Sequence, residues 1–256
     1  YKMKRVQKVL NFLLPALSLI LLIYLWLLAA RNIPTFPSPA EAWERFLKLQ
    51  VKHISGVGIL GHVWASLLRV LKALGLSIVL GIPFGLMLGW NKTFRGIFKP
   101  LFEMLRPIPP IAWIPLVSLW MGVGEGSKVF VIFVGTIAPI VVNTFSGVSM
   151  VPQQLLDASR SFGATHSQVL VDIVLPASLQ SIFAGIKTAL SAGWMVVLAA
   201  EMISAKQGLG FLITRGSDTN DLALTMVAMV FIGVIGAMIS YGFDFVERSL
   251  CPWTRR

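Results

Sequence analysis

The chain has 256 residues, 56% hydrophobic and 13% charged, with a formal net charge of +11. Soluble domains carry roughly 25% charged residues, so the composition points to a polytopic membrane protein and away from a soluble fold. A single cysteine, Cys251, excludes an intrachain disulfide, and His53, His62 and His166 show no metal spacing, so no zinc or other metal site is expected.

The positive charge lies mostly outside the apolar runs. There it acts as a topological signal and a contact with anionic lipid, and no nucleic-acid partner is expected. A membrane helix needs about 20 mostly apolar residues. Six runs meet this: 9–30, 63–90, 102–123, 129–145, 177–200 and 222–245. Each is predicted to be a helix, because a segment in lipid must satisfy its own backbone hydrogen bonds, and the alternation of a membrane barrel is absent. The first run follows Lys2, Lys4, Arg5 and Lys8, but it is longer than a signal-peptide core and has no small-residue cleavage site beside it. With six crossings, those cations share a side with Lys92, Arg95, Lys99, Arg106, Arg248, Arg255 and Arg256. The positive-inside rule then places both termini in the cytoplasm. The resulting division is 1–61 for the first helix and an external segment, 62–246 for a core of five spans with a cytoplasmic loop at 150–176, and 247–256 for a tail.

In chain order, 38–51 reads as a short amphipathic helix on the outer side. Ser38 caps it, Pro39 suits its first position and Glu41 completes a capping box. Trp43, Phe46, Leu47 and Val51 share a face, which suits an interface-lying helix or an ordinary packed connector. In the second span Gly81, Gly85 and Gly89 recur every four residues, a spacing that brings helix backbones close. Tight packing and a moving contact both remain open. The third span opens with RPIPPIAWIP at 106–115, where Pro107, Pro109, Pro110 and Pro115 remove four backbone donors. A regular helix cannot run through 107–110, so the segment is either a kinked, packed helix or part of a wet pathway. Arg106, Pro109, Pro110 and Trp113 are its pathway candidates.

GVGEGSK at 122–128 only imitates a phosphate loop. Ser127 precedes Lys128, and a Walker A loop needs Gly-Lys-Ser/Thr. It is predicted to be a turn between spans, so no nucleotide site is visible in this chain. Next comes DASRSFGATHSQVLVDIVLP at 157–176, too polar to cross a bilayer. Pro152 suits a first helical position. Leu155, Leu156, Ala158 and Phe162 give a first helix an apolar face. Gly163 ends it in the left-handed region, and Thr165 with Gln168 forms a second capping box. Pro176 marks a break before the fifth span. This is either a docking knob for a cytoplasmic partner or a structured loop.

That loop resembles one in the permease subunits of ABC importers. Theirs reads Glu-Ala-Ala, three residues, Gly, nine residues, Ile, any residue, Leu-Pro. Here Asp157, Ala158 and Ser159, then Gly163, Ile173, Leu175 and Pro176, stand at the same spacing, with Asp for Glu and Ser for the second Ala. PSPAEAW, RPIPPIAWIPL, GVGEGSK and AAEMISAKQGLGF resemble the taurine, aliphatic sulfonate, nitrate and bicarbonate branch. The resemblance implies an all-α, six-span type I importer fold in the bacterial inner membrane. It further implies a second permease copy, two ATPase subunits that hold ATP and Mg, and an external binding protein, with no cofactor in this chain. The loop from Asp157 to Gly163 becomes the coupling helix seated in the ATPase, with Gly163 aiming it and Ala158 allowing close approach.

Glu201 and Met202 end the fifth span. An ionisable residue there is a functional candidate, and the resemblance puts it near the outer gate; a water-exposed carboxylate, or one paired with Lys206, is the plainer reading. Lys187 is expected to reach toward the cytoplasmic surface. No catalytic constellation is visible, so an enzyme is not expected. A secondary transporter would show several intramembrane charges and inverted repeats, and neither is evident.

Overall fold

The computed structural model describes residues 2–250, and among them the side chains of residue 14, 17–203 and 205–245. The expected cytoplasmic placement of both chain ends, and Cys251, fall outside the described residues. Among the described residues eleven α-helices run in order: α1 Lys2–Asn32, α2 Pro39–Val51, α3 Ile59–Trp90, α4 Lys92–Leu105, α5 Ile114–Met121, α6 Glu125–Ser149, α7 Gln153–Ser161, α8 His166–Gln168, α9 Leu175–Ser204, α10 Leu209–Asp218 and α11 Leu222–Leu250. A 3₁₀ helix, Pro110–Trp113, precedes α5, and a π-helical stretch, Val169–Val174, joins α8 to α9. Four described stretches are long and apolar enough to span a membrane: Ile59–Trp90, Glu125–Ser149, His166–Ile203 and Leu222–Phe245. Leu17–Asn32 and Pro110–Met121 are shorter apolar helices. The chain is therefore an all-α polytopic membrane protein.

Three predicted boundaries are corrected. The run 102–123 is not one helix. Its first residues belong to α4, Arg106 to Pro109 leave the helix, and the chain resumes as the 3₁₀ helix and α5. The prolines cause this, since none can donate to the preceding turn and each restricts the residue before it. The GVGEGSK turn is shorter than expected. Gly122 (φ 73°) turns the chain, and Glu125 to Lys128 already form the first turn of α6, where Ser127 Oγ donates to the Gly124 carbonyl at 2.8 Å. Pro176 breaks nothing either: it sits in the first turn of α9, and Leu175 N–H bonds back five residues to the Leu170 carbonyl. The wider π turn absorbs the missing proline donor, so helix runs without interruption from His166 to Ile203.

The core is built by α3, α6 and α9. Val70, Ala73, Ile132, Ile140, Ala189 and Val197 are fully buried between them. Gly81, Gly85 and Gly89 face α6. A β-carbon at Gly85 would lie 2.7 Å from Thr144 Cβ and 2.9 Å from the Val141 carbonyl oxygen. Ser77 and Thr136 hydroxyls bond between the same helices at 2.7 Å. α11 is tied to α9 by Trp194 Nε1, which donates to the Ile232 carbonyl at 3.2 Å. Lys187, partly exposed, forms an ion pair with Asp244 near the C-terminal end of α11.

α2 forms from its own sequence. Glu41 N–H donates to Ser38 Oγ at 3.3 Å, and Ser38 N–H to Glu41 Oε2 at 2.7 Å. Such a cap is worth about 1 kcal/mol. Its apolar residues divide: Phe46 packs on Phe231 of α11 at 5.6 Å between centroids, whereas Trp43, Leu47 and Val51 stay exposed.

Candidate functional site

Two regions at opposite ends of the bundle carry the functional candidates. At one end, α6 descends to a cap at Met150, and the chain turns into α7 with Pro152 as its N-cap rather than its first residue. α7 ends in a Schellman arrangement: Gly163 N–H bonds to the Arg160 carbonyl at 2.9 Å, and Ala164 N–H to the Ser159 carbonyl at 3.1 Å. Gly163 has φ 84°, a left-handed conformation that a β-carbon disfavours, although the space around it is open. Thr165 then caps α8 through a box with Gln168, Thr165 N–H donating to Gln168 Oε1 at 2.8 Å.

Leu156 packs on the cluster of Val148, Val169 and Val174, and that anchors the loop to α6 and α9. Ser159 is buried, with its hydroxyl on the Leu156 carbonyl at 2.8 Å. Asp157, Ala158 and Gly163 are exposed, Leu175 and Ile173 are half-buried, and Pro176 is exposed. Asp157 accepts from Gln153 at 2.9 Å and pairs loosely with Arg160 at 3.7 Å. Phe162 is 93% exposed and Leu155 is exposed as well, so the expected apolar face of α7 turns partly outward.

At the other end, Glu201 is buried to 1% exposure and Arg69 of α3 to 5%. Arg69 Nη1 donates to Glu201 Oε1 at 2.6 Å and to the Gln207 carbonyl at 2.8 Å. Its other nitrogens grip Glu125 in bidentate fashion at 2.6 and 2.8 Å, the strong geometry for a guanidinium and a carboxylate. Lys128 Nζ also reaches Glu125 at 3.0 Å. Glu201 Oε2 accepts from Ser66 Oγ and from Gly210 N–H, both at 2.9 Å. One network thus joins α3, α6, α9 and the start of α10.

Glu201 is therefore neither open to water nor paired with Lys206. The turn after α9 closes over the carboxylate, with Gly208 at φ 129° and Gly210 so near that a β-carbon would meet the Leu198 carbonyl oxygen at 2.5 Å. Lys206 turns away into a surface cleft. Met202 is exposed beside it.

The proline segment reaches the Glu201 end, where Trp113 packs beside Ala200. Arg106, at the C-cap of α4, is exposed, as is Pro109. Pro110 contacts Gly135 of α6 closely enough that a β-carbon there would lie 3.2 Å from its Cγ. Trp113 packs on Ile114, Val117, Val131 and Ala200, and its indole N–H is buried without a partner. Among the described residues no group of three or more His, Cys, Asp and Glu side chains is placed to hold a metal.

Residues 81–256 match the family described as binding-protein-dependent transport system inner membrane component. This chain belongs to that family. An ABC transporter permease protein of Methanocaldococcus jannaschii is 35% identical over 258 residues, 99% of this chain and 95% of that one. The taurine transport system permease protein of Escherichia coli is 33% identical across 91% of this chain and 86% of its own. The nitrate import permease protein of Synechocystis is 30% identical across 93% and 89%. A solved structure of the MetNI methionine ABC transporter in an inward-facing conformation superposes with a TM-score of 0.66, at 20% identity, over 75% of this chain and 95% of that chain. That likeness supports the type I importer permease fold. The chain is an ABC importer permease subunit, a component of the inner membrane that is not itself an enzyme.

Sequence reasoning singled out Glu201 in this permease but missed its partners. Arg69 was passed over within an apolar run. A signal was available: His62, Ser66 and Arg69 recur at helical spacing on one face of α3, and all three are buried. Glu125 lies in the stretch expected to be a turn, but it stands in the first turn of α6. Asp244, the partner of Lys187, was also overlooked.

Proposed function

We propose that this permease subunit passes a small anionic or zwitterionic solute, a sulfonate such as taurine, from an external binding protein into the cytoplasm. Transport is driven by separate ATPase subunits, with a second permease copy completing the pathway and both termini in the cytoplasm. The observation that supports the coupling is helical continuity. The 38 residues of His166–Ile203 span about 57 Å at 1.5 Å per residue. One end is anchored to α7 through the Val148, Val169 and Val174 cluster, and the other carries Glu201 and its pair with Arg69. A displacement of α7 by an ATPase at Asp157 to Gly163 is carried along one rigid rod to the far end.

In this reading Pro109, Pro110 and Trp113 belong to the pathway wall, since irregular backbone at membrane depth is tolerated where it lines a wet cavity or is buried in protein. Arg106, exposed at the cytoplasmic end of that segment, favours anions. Glu201 and its neighbour Met202 stand at the outer gate, Glu201 holding the helices together through Arg69 rather than touching solute.

The sulfonate assignment leans on the taurine-system relative; the nitrate-import relative supports a second reading, nitrate or bicarbonate. Uptake by the reconstituted complex with its own binding protein decides between them. Labelled taurine, ethanesulfonate, nitrate, bicarbonate and a cationic control are offered in turn. Uptake of taurine or ethanesulfonate supports the first reading, uptake of nitrate or bicarbonate the second, and uptake of the cation alone overturns both.

A further inference from the structure

At the end of the bundle opposite α7, α2 and α10 enclose an open cleft of ≈ 1380 Å³. Two of its cations are neutralised locally: Arg45 pairs with Asp221 at 2.6 Å and Lys48 with Glu44 at 2.7 Å. Lys52, Lys206 and Arg215 also line it, and among the described residues none of the three is within 4.0 Å of a carboxylate. The cleft thus holds three uncompensated positive charges. Leu47, Val51, Phe211 and Leu224 supply apolar wall beside them.

The cations stand on fixed backbone. Lys52 precedes His53 and Ile54, and the Ile54 carbonyl accepts from the buried His62 ring at Nε2, 3.2 Å away. Lys206 precedes Gln207, whose carbonyl accepts from Arg69, and Gly208, whose N–H donates to His62 Nδ1 at 3.1 Å. His62 is therefore the tautomer protonated at Nε2. Both segments are pinned to the buried polar cluster beneath, which lowers the entropic cost of holding a ligand between them.

We propose that this cleft is a binding site for an organic anion, a sulfonate, carboxylate or phosphate group carrying a short apolar part. The charged group meets Lys52, Lys206 and Arg215, and the apolar part meets the α2 and α10 walls. Two sources share this chemistry: a free solute anion, and the headgroup of an anionic lipid beside the exposed Trp43 and Val51 of α2. The inference rests on the proposed function only for the choice of probe.

The test uses the full chain with its ATPase partner in nanodiscs, and reads butanesulfonate binding by ligand-observed saturation-transfer NMR. In phosphatidylcholine discs the wild type is expected to bind in a salt-sensitive way, and the double variant Lys206→Gln, Arg215→Gln to bind at least about fivefold more weakly, since each removed charge at contact distance is worth roughly that factor even in high dielectric. Lys206→Arg, which keeps the charge, is expected to bind as the wild type does. In discs containing phosphatidylglycerol, unchanged binding assigns the site to the free anion, and competition by the lipid assigns it to a headgroup. Equal butanesulfonate binding by the wild type and the double variant overturns the site. Failure of the wild type to import any anion, with the binding difference intact, overturns the proposed function and leaves the cleft standing.

Discussion

Arg69 Nη1 lies 2.6 Å from Glu201 Oε1, and the pair joins the third helix to the end of the ninth in a place shielded from solvent. Removing Arg69 leaves Glu201 buried without its counter-charge, at a cost of about 3–5 kcal/mol, whereas removing Glu201 leaves Arg69 still paired with Glu125. Arg69→Met should lower the thermal unfolding midpoint of the purified protein strongly, and Glu201→Met, which leaves the Arg69–Glu125 pair, should lower it less. The double variant should lose less than the sum, because neither charge is then stranded. Additive losses would mean that the two side chains stabilise the fold independently.

Gly85 tests how closely the third and sixth helices approach. Gly85→Val places methyl groups against Thr144 and the Val141 carbonyl, with an expected cost of about 1–3 kcal/mol. Gly96→Ala in α4 meets nothing within 4 Å and should be neutral or stabilising by about 0.5–1 kcal/mol. Thermal midpoints in one detergent compare the two; equal effects would contradict the packing.

The orientation is tested with two exposed positions. With Cys251→Ser as background, Phe162→Cys, 93% exposed, should react with a membrane-impermeant thiol reagent only after the cells are opened. Val51→Cys, 88% exposed, should react in intact cells. The reverse pattern would invert the chain in the membrane.

The sequence was most legible where structure is local. Both capping boxes and the left-handed Gly163 form as expected, because each depends on residues three or four apart. Proline proved ambiguous. At 107–110 several together end the helix, whereas the lone Pro176 is absorbed by a π turn, and the outcome depends on what the neighbouring backbone can do. The least legible features were the charge pairs Arg69–Glu201 and Lys187–Asp244, whose members lie on different helices and meet only once those helices pack. The glycines at 81, 85 and 89 announced a close contact without naming its partner, α6.

If α7 carries force from an ATPase into α9, ATP hydrolysis and solute uptake depend together on the α7 loop, and both are measured in one set of proteoliposomes. Gly163→Val costs roughly 1 kcal/mol or more in backbone strain at φ 84° without a clash. Asp157→Lys reverses an exposed charge. Both variants are predicted to insert with the wild-type thermal midpoint nearly preserved, yet to lose uptake and binding-protein-stimulated hydrolysis together. Full uptake by both variants, with stimulated hydrolysis intact, would contradict the assignment of coupling to this loop.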